Sequence, residues 1–159
     1  MADDDLLSAR QTFVEEVYIW VLGNGATAEG VIREACNLLV AGADGGRLAE
    51  LAGLSPSADY WDLLPLARGA MEELGFQLME PETEAAQMTA SRAQARRTVR
   101  GEITPRDFAA WTHRVIGHAG PAEAQPVVIA DDEYDDCGYS SESEVDAEVL
   151  RLAREFSST

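Results

Sequence analysis

The spacing of the apolar residues constrains this chain most. In "DDLLSARQTFVEEVYIWVL", Leu6, Arg10, Phe13, Val17 and Val21 recur at three- and four-residue steps, behind acids at Asp3 to Asp5. Such steps draw one stripe down a helix, and acids at its start suit the helix dipole. The glycines of "GNG" end the run. Thr27 is placed to cap a second helix to about Ala41, with Val31, Ala35, Leu38 and Leu39 on one face. "GADGG" breaks that helix, and "RLAELAGL" makes a short third one. Ser57 or Asp59 starts "YWDLLPLARGAMEELG". Pro65 lies inside that segment, so the helix either starts later or kinks there.

The second half also reads mostly as helix. "EPETEAAQMTASRAQARRTVRGE" opens on Pro81 and acids and closes on arginines, the polarity that a helix dipole favours. Thr104-Pro105-Arg106-Asp107 combines a capping Thr, a Pro at the first position and an Asp where a capping box needs one. Phe108, Trp111, Val115 and Ile116 share the face that follows, and "HAGPAEAQP" stops it. "VVIA" is the only short stretch with strand character. A last helix runs from about Glu142 to Phe156, with Val145, Val149, Leu152 and Phe156 inward. No internal repeat occurs, and strands do not alternate with helices. The expected fold is all-α: one domain over residues 1–159, a bundle of about six helices with an acidic loop over about 130–141 before the last helix.

Charge narrows the partners. The chain has 29 acidic residues against 12 basic ones, all arginine, for a formal net charge of -17. Such a field repels nucleic acid and anionic membranes and attracts basic proteins. No apolar run approaches the roughly 20 residues of a membrane span. "MADDDLLSARQ" carries acids where a secretory leader carries bases. The expected compartment is therefore a reducing cytoplasm, with Cys36 and Cys137 as free thiols.

Motifs for chemistry are thin. Gly23-x-Gly25-x-x-Ala28 follows an apolar run, and Asp44 lies near the acidic position of a dinucleotide-binding turn. That mechanism needs a strand before the turn, whereas the run continues a helical stripe. Asp131, Glu133, Asp135 and Glu142 fall at calcium-loop positions 1, 3, 5 and 12. Yet position 6 is Asp136, where that loop needs glycine, and "AQPVVIA" does not read as an entering helix. His113 and His118 lie five apart, not the four that stacks a metal pair on one helix face. Neither cysteine has a His nearby in sequence, and no nucleophile elbow occurs. Cys36, Trp20, Trp61 and Trp111 are most simply core. No metal, cofactor or catalytic residue is expected.

The stretch from Val128 to Leu150 stands out, with nine acids and no base. It reads as a solvating loop, as the acidic flank of the last helix, or as a recognition edge. Two tyrosines among the acids favour recognition, because Tyr anchors interfaces at low entropic cost. The candidate partner-binding residues are Asp131, Asp132, Glu133, Tyr134, Asp135, Asp136 and Tyr139, facing a basic protein. Arg92, Arg96, Arg97 and Arg100 cluster elsewhere, which leaves the opposite patch strongly negative.

"VRGEITPRDFAAWTHRVIG", then "DDEYDDCGY", then "VDAEVLRLAREF" resembles the C-terminal half of small bacterial immunity proteins of the colicin D immunity type. The matching residues are Gly101, Glu102, Ile103, Thr104 and Phe108, then Asp131 to Asp136, then Val145 to Phe156. The resemblance implies a helical bundle whose acidic surface plugs the basic, RNA-binding active site of a cognate nuclease toxin, with no catalysis of its own. One alternative is an acidic adaptor that binds another protein through apolar helix faces. Another is a nucleotide-binding enzyme built on the Gly23–Ala28 turn.

Overall fold

A computed structural model describes residues 2–23, 27–136 and 140–158. Among them lie eight α-helices, one 3-10 turn and no strand. The helices are α1 (Ala2–Leu22), α2 (Glu29–Val40), α3 (Gly46–Ala52), α4 (Tyr60–Glu73), α5 (Glu84–Val99), α6 (Pro105–Val115), α7 (Gln125–Asp135) and α8 (Glu142–Ser157). The all-α class holds, and the count exceeds the expected six. One of the additional helices is α7, where a short strand and an acidic loop were expected. The helices group into two compact units, Met1–Pro81 and Glu82–Thr159.

In the first unit, α1 packs on α2, α2 on α3 and α3 on α4. Phe13 and Val17 of α1, Val31 and Leu38 of α2, Leu48 and Leu51 of α3, and Leu63 and Met71 of α4 are fully buried. Burying each such side chain is worth about 1.5–3 kcal/mol. Asp59 caps α4, its carboxylate accepting from Asp62 N at 3.0 Å. The helix therefore starts before Pro65 and runs through it. The start of α3 is capped from outside. The Glu73 carboxylate accepts from Arg47 N at 2.9 Å and Leu48 N at 3.1 Å. These free N–H groups hold its pKa below the ordinary carboxylate range. A Cβ on Gly45 would come within 2.3 Å of that carboxylate, so a larger residue there would push the cap aside. The Tyr18 hydroxyl donates to Gln77 O (3.4 Å) and accepts from Met79 N (3.1 Å), which ties the chain after α4 to α1.

Two core assignments in this unit are corrected. Cys36 is exposed, one residue past buried Ala35 and so turned about 100° away from it. Trp61 is 76% exposed, about 200° around α4 from buried Leu63. Trp20 is buried as expected and stacks on Tyr60 with centroids 4.9 Å apart.

In the second unit, α5, α6, α7 and α8 enclose a core of Ala95, Phe108, Ala109, Val127, Ala130, Val145, Val149, Leu152 and Ala153. Thr104 and Asp107 form the expected capping box at α6, with Thr104 Oγ1 accepting from Asp107 N at 3.0 Å. Ser141 and Glu144 form another at α8. Pro126, in the first turn of α7, has a φ already suited to a helix. Val127, Val128 and Ala130 then face inward while Ile129 stays half exposed. Burial against the core overrides the strand preference of the β-branched run.

Candidate functional site

The acidic candidates lie on a helix instead of a loop. α7 carries Asp131, Asp132, Glu133, Tyr134 and Asp135, and Asp136 caps it. Tyr139 lies outside the described residues, as do Cys137 and Gly25; of the expected acidic loop, residues 137–139 lie outside them. Asp132, Glu133, Asp135 and Asp136 are exposed, and so are Glu142 and Glu144 at the start of α8. The structure thus brings the C-terminal turn of α7 and the first turn of α8 together as exposed acid. The calcium-loop reading fails for a new reason. "AQPVVIA" is helical after all, and Asp131, Glu133 and Asp135 stand on that helix, where they cannot ring an ion.

Two of the candidates are held by α6 and α8. The half-buried Tyr134 donates its hydroxyl to Asp146 Oδ1 of α8 at 2.5 Å. Burial first, and that carboxylate second, push the Tyr134 pKa far above the ordinary tyrosine range. Arg106 of α6 lies over its ring at 5.2 Å and donates to Glu142 Oε1 at 3.1 Å. The hydrogen bond to Glu142 raises the Arg106 pKa. Asp135 Oδ1 is 3.9 Å from the same guanidinium. Tyr134 therefore ties α7 to α8.

The half-buried Asp131 turns toward α6. Its Oδ2 lies 2.8 Å from His113 Nδ1. Asp132 reaches both histidines, with Oδ1 3.6 Å from His113 Nδ1 and Oδ2 3.5 Å from His118 Nε2. The imidazole rings meet edge to face at 4.9 Å. One donor atom from each of His113, His118 and Asp132 falls in a group spanning no more than 4.8 Å. The five-residue spacing does not separate the histidines, because α6 has ended before His118. Gly117 has φ +67° and its N–H donates back to Thr112 O at 3.1 Å, which folds the chain over the helix end. The turn is pinned from α7, where Gln125 Nε2 donates to the carbonyls of Gly117 (3.1 Å), Gly120 (3.2 Å) and Pro121 (3.3 Å). A Cβ on Gly120 would come within 2.3 Å of Ile116 Cγ2, so the turn has no room for a larger residue there.

Sequence reasoning therefore missed Arg106, His113, His118 and Asp146 as parts of this surface. One signal was available. Arg106 and His113 lie seven apart on α6, two turns along one face. Asp131, Tyr134 and Asp135 lie at three- and four-residue steps on α7.

The dinucleotide reading loses its strand, since α1 is helical to Leu22 and no strand occurs among the described residues. The arginine cluster is less open than its sequence suggests: Arg92, Arg96 and Arg97 are half-buried on α5, and only Arg100 is exposed. No described helix is long and apolar enough to cross a membrane. No protein-family model, curated protein or solved structure matches the chain.

Proposed function

We propose that this protein is a non-enzymatic inhibitor that binds a basic protein, of the kind in which an immunity protein neutralises a nuclease toxin. One observation carries the reading: the exposed acid on the last turn of α7 and the first turn of α8, namely Asp132, Glu133, Asp135, Asp136, Glu142 and Glu144. These carboxylates stand in for phosphates toward a basic active site. The net charge of -17 adds long-range attraction. Association with a basic partner would reach ~10⁸ M⁻¹s⁻¹ at low salt and fall steeply as salt rises. The bonded Tyr134 acts by holding the acidic turns in register.

The test is retention of basic proteins on the immobilised chain at low and high salt, with mass spectrometry of the eluate. Asp135→Arg combined with Asp136→Arg should abolish salt-sensitive retention. Asp131 is left in place because it holds His113. If no basic protein is retained at low salt, the reading fails. The exposed Trp61 of α4 favours a second reading, an acidic adaptor that docks through an apolar helix face. In that case Trp61→Ala removes binding and the charge reversals leave it intact.

A further inference from the structure

His113, His118, Asp131 and Asp132 have a geometry that the acidic surface does not require. We propose that His113, His118 and Asp132 form a binding site for one divalent transition-metal ion of the zinc class, with Asp131 beside His113 in support. Three observations carry it.

The first is spacing. Zinc held by nitrogen and carboxylate oxygen at about 2.0–2.1 Å in a tetrahedron has donors about 3.3 Å apart. Two distances here are close to that edge, 3.6 Å from His113 Nδ1 to Asp132 and 3.5 Å from His118 Nε2 to Asp132, and one donor atom from each of the three side chains lies within 4.8 Å of the other two. The donors therefore need little movement to take up an ion.

The second is donor chemistry. Two imidazoles with one carboxylate, leaving a fourth position for water, suit zinc and its neighbours, whereas calcium and magnesium take oxygen ligands. The two sides of the Asp132 carboxylate face different histidines. His113 Nδ1 faces both aspartates. An ion at the centre would replace these proton-mediated contacts with metal bonds.

The third is support. His118 is 60% exposed, yet the turn that carries it is fixed at both ends. Gly117 sets its entry, and the three Gln125 bonds hold the carbonyls around it. His113 and the aspartates stand on helices that share the unit's core. The ion would join α6, the turn after it and α7.

The experiment is a calorimetric titration of the full chain, freed of metal by chelation, with Zn²⁺. Co²⁺ serves as an optical probe, since a tetrahedral nitrogen–oxygen site gives it intense visible absorption. The expected result is saturable binding of one ion, a rise in the thermal midpoint and tetrahedral Co²⁺ bands. His118→Ala, at an exposed turn position, should weaken Zn²⁺ at least ~10-fold and remove the Co²⁺ bands. Asp132→Asn should do the same. Glu82→Gln combined with Glu84→Gln removes two charges from the same unit without touching the donors, and should leave the affinity unchanged. No saturable binding at ~1 mM Zn²⁺, far weaker than protein zinc sites, would overturn the proposal. So would H118A and D132N binding as tightly as the unaltered chain, or a loss in E82Q/E84Q equal to theirs. The Asp135 and Asp136 reversals lie outside the donor set, so metal binding and partner binding fail separately.

Discussion

Replacing Tyr134 by Phe keeps the ring under Arg106 and removes only the hydroxyl that α8 receives. A hydrogen bond to a charged group is worth about 1.5–3 kcal/mol when shielded, and a neutral one about 1 kcal/mol. Tyr134 and Asp146 are both partly exposed, so water competes for each. The expected loss is therefore about 1 kcal/mol. With a urea m-value of about 2 kcal/mol/M, the midpoint falls by about 0.5 M at unchanged m. A cycle of Y134F, D146A and the double variant isolates the pair, and its coupling should be at least about 0.5 kcal/mol. The linkage has a definite sign. The folded pKa of Tyr134 is raised, so its contribution is complete below the ordinary tyrosine value of about 10 and is lost as pH rises through the folded value. In an alkaline titration followed by phenolate absorbance, one tyrosine should ionise late in the unaltered chain and be missing in Y134F. A coupling below about 0.3 kcal/mol, within the usual scatter of independent sites, would refute the view that this hydroxyl joins α7 to α8.

Two further outcomes follow from the cores and caps. Phe108→Ala, at a fully buried position among α5, α7 and α8, should cost about 3–5 kcal/mol in urea denaturation; a loss under about 1.5 kcal/mol, the scale of a conservative core swap, would mean that the core is not centred there. Glu73→Gln should destabilise the chain near neutral pH, where the native carboxylate caps α3. Because the folded pKa of Glu73 is lowered, its contribution is present above the ordinary carboxylate value and disappears as pH falls through the folded one. The gap between E73Q and the unaltered chain should therefore close in acid, and a gap independent of pH would rule out the charge as the cause.

Several helix starts were legible, though not that of α2, whose N-cap is Ala28 with no side-chain bond instead of the expected Thr27. The Thr104 box and the polarity of α5 are local, so adjacent residues suffice to read them. α7 was illegible because its cues conflict. Val127, Val128 and Ile129 favour strand locally, and the acids behind them favour a loop. What decides between them is contact with Phe108, Val145 and Val149 from other helices. Faces were harder to read than elements. Cys36 and Trp61 were assigned inward as residue types usually found buried, but each residue step turns the side chain by about 100°. Of the candidate surface, the acids were legible as composition. Their division was not, because it depends on Arg106, His113 and Asp146, which reach them across helix seams.

The Gln125 amide gives the α6–α7 corner a property that matters for recognition. Its two N–H groups are shared among the carbonyls of Gly117, Gly120 and Pro121, of which Gly117 and Pro121 also accept backbone N–H groups of the same turn. A surface turn commonly loses backbone freedom when something docks on it, and that loss weakens association. Here the loss is incurred during folding. The two helices and their connection form a hairpin whose turn would already be held in place when an ion or protein met it. Gln125→Ala would leave every acid in place and still slow or weaken capture at that corner.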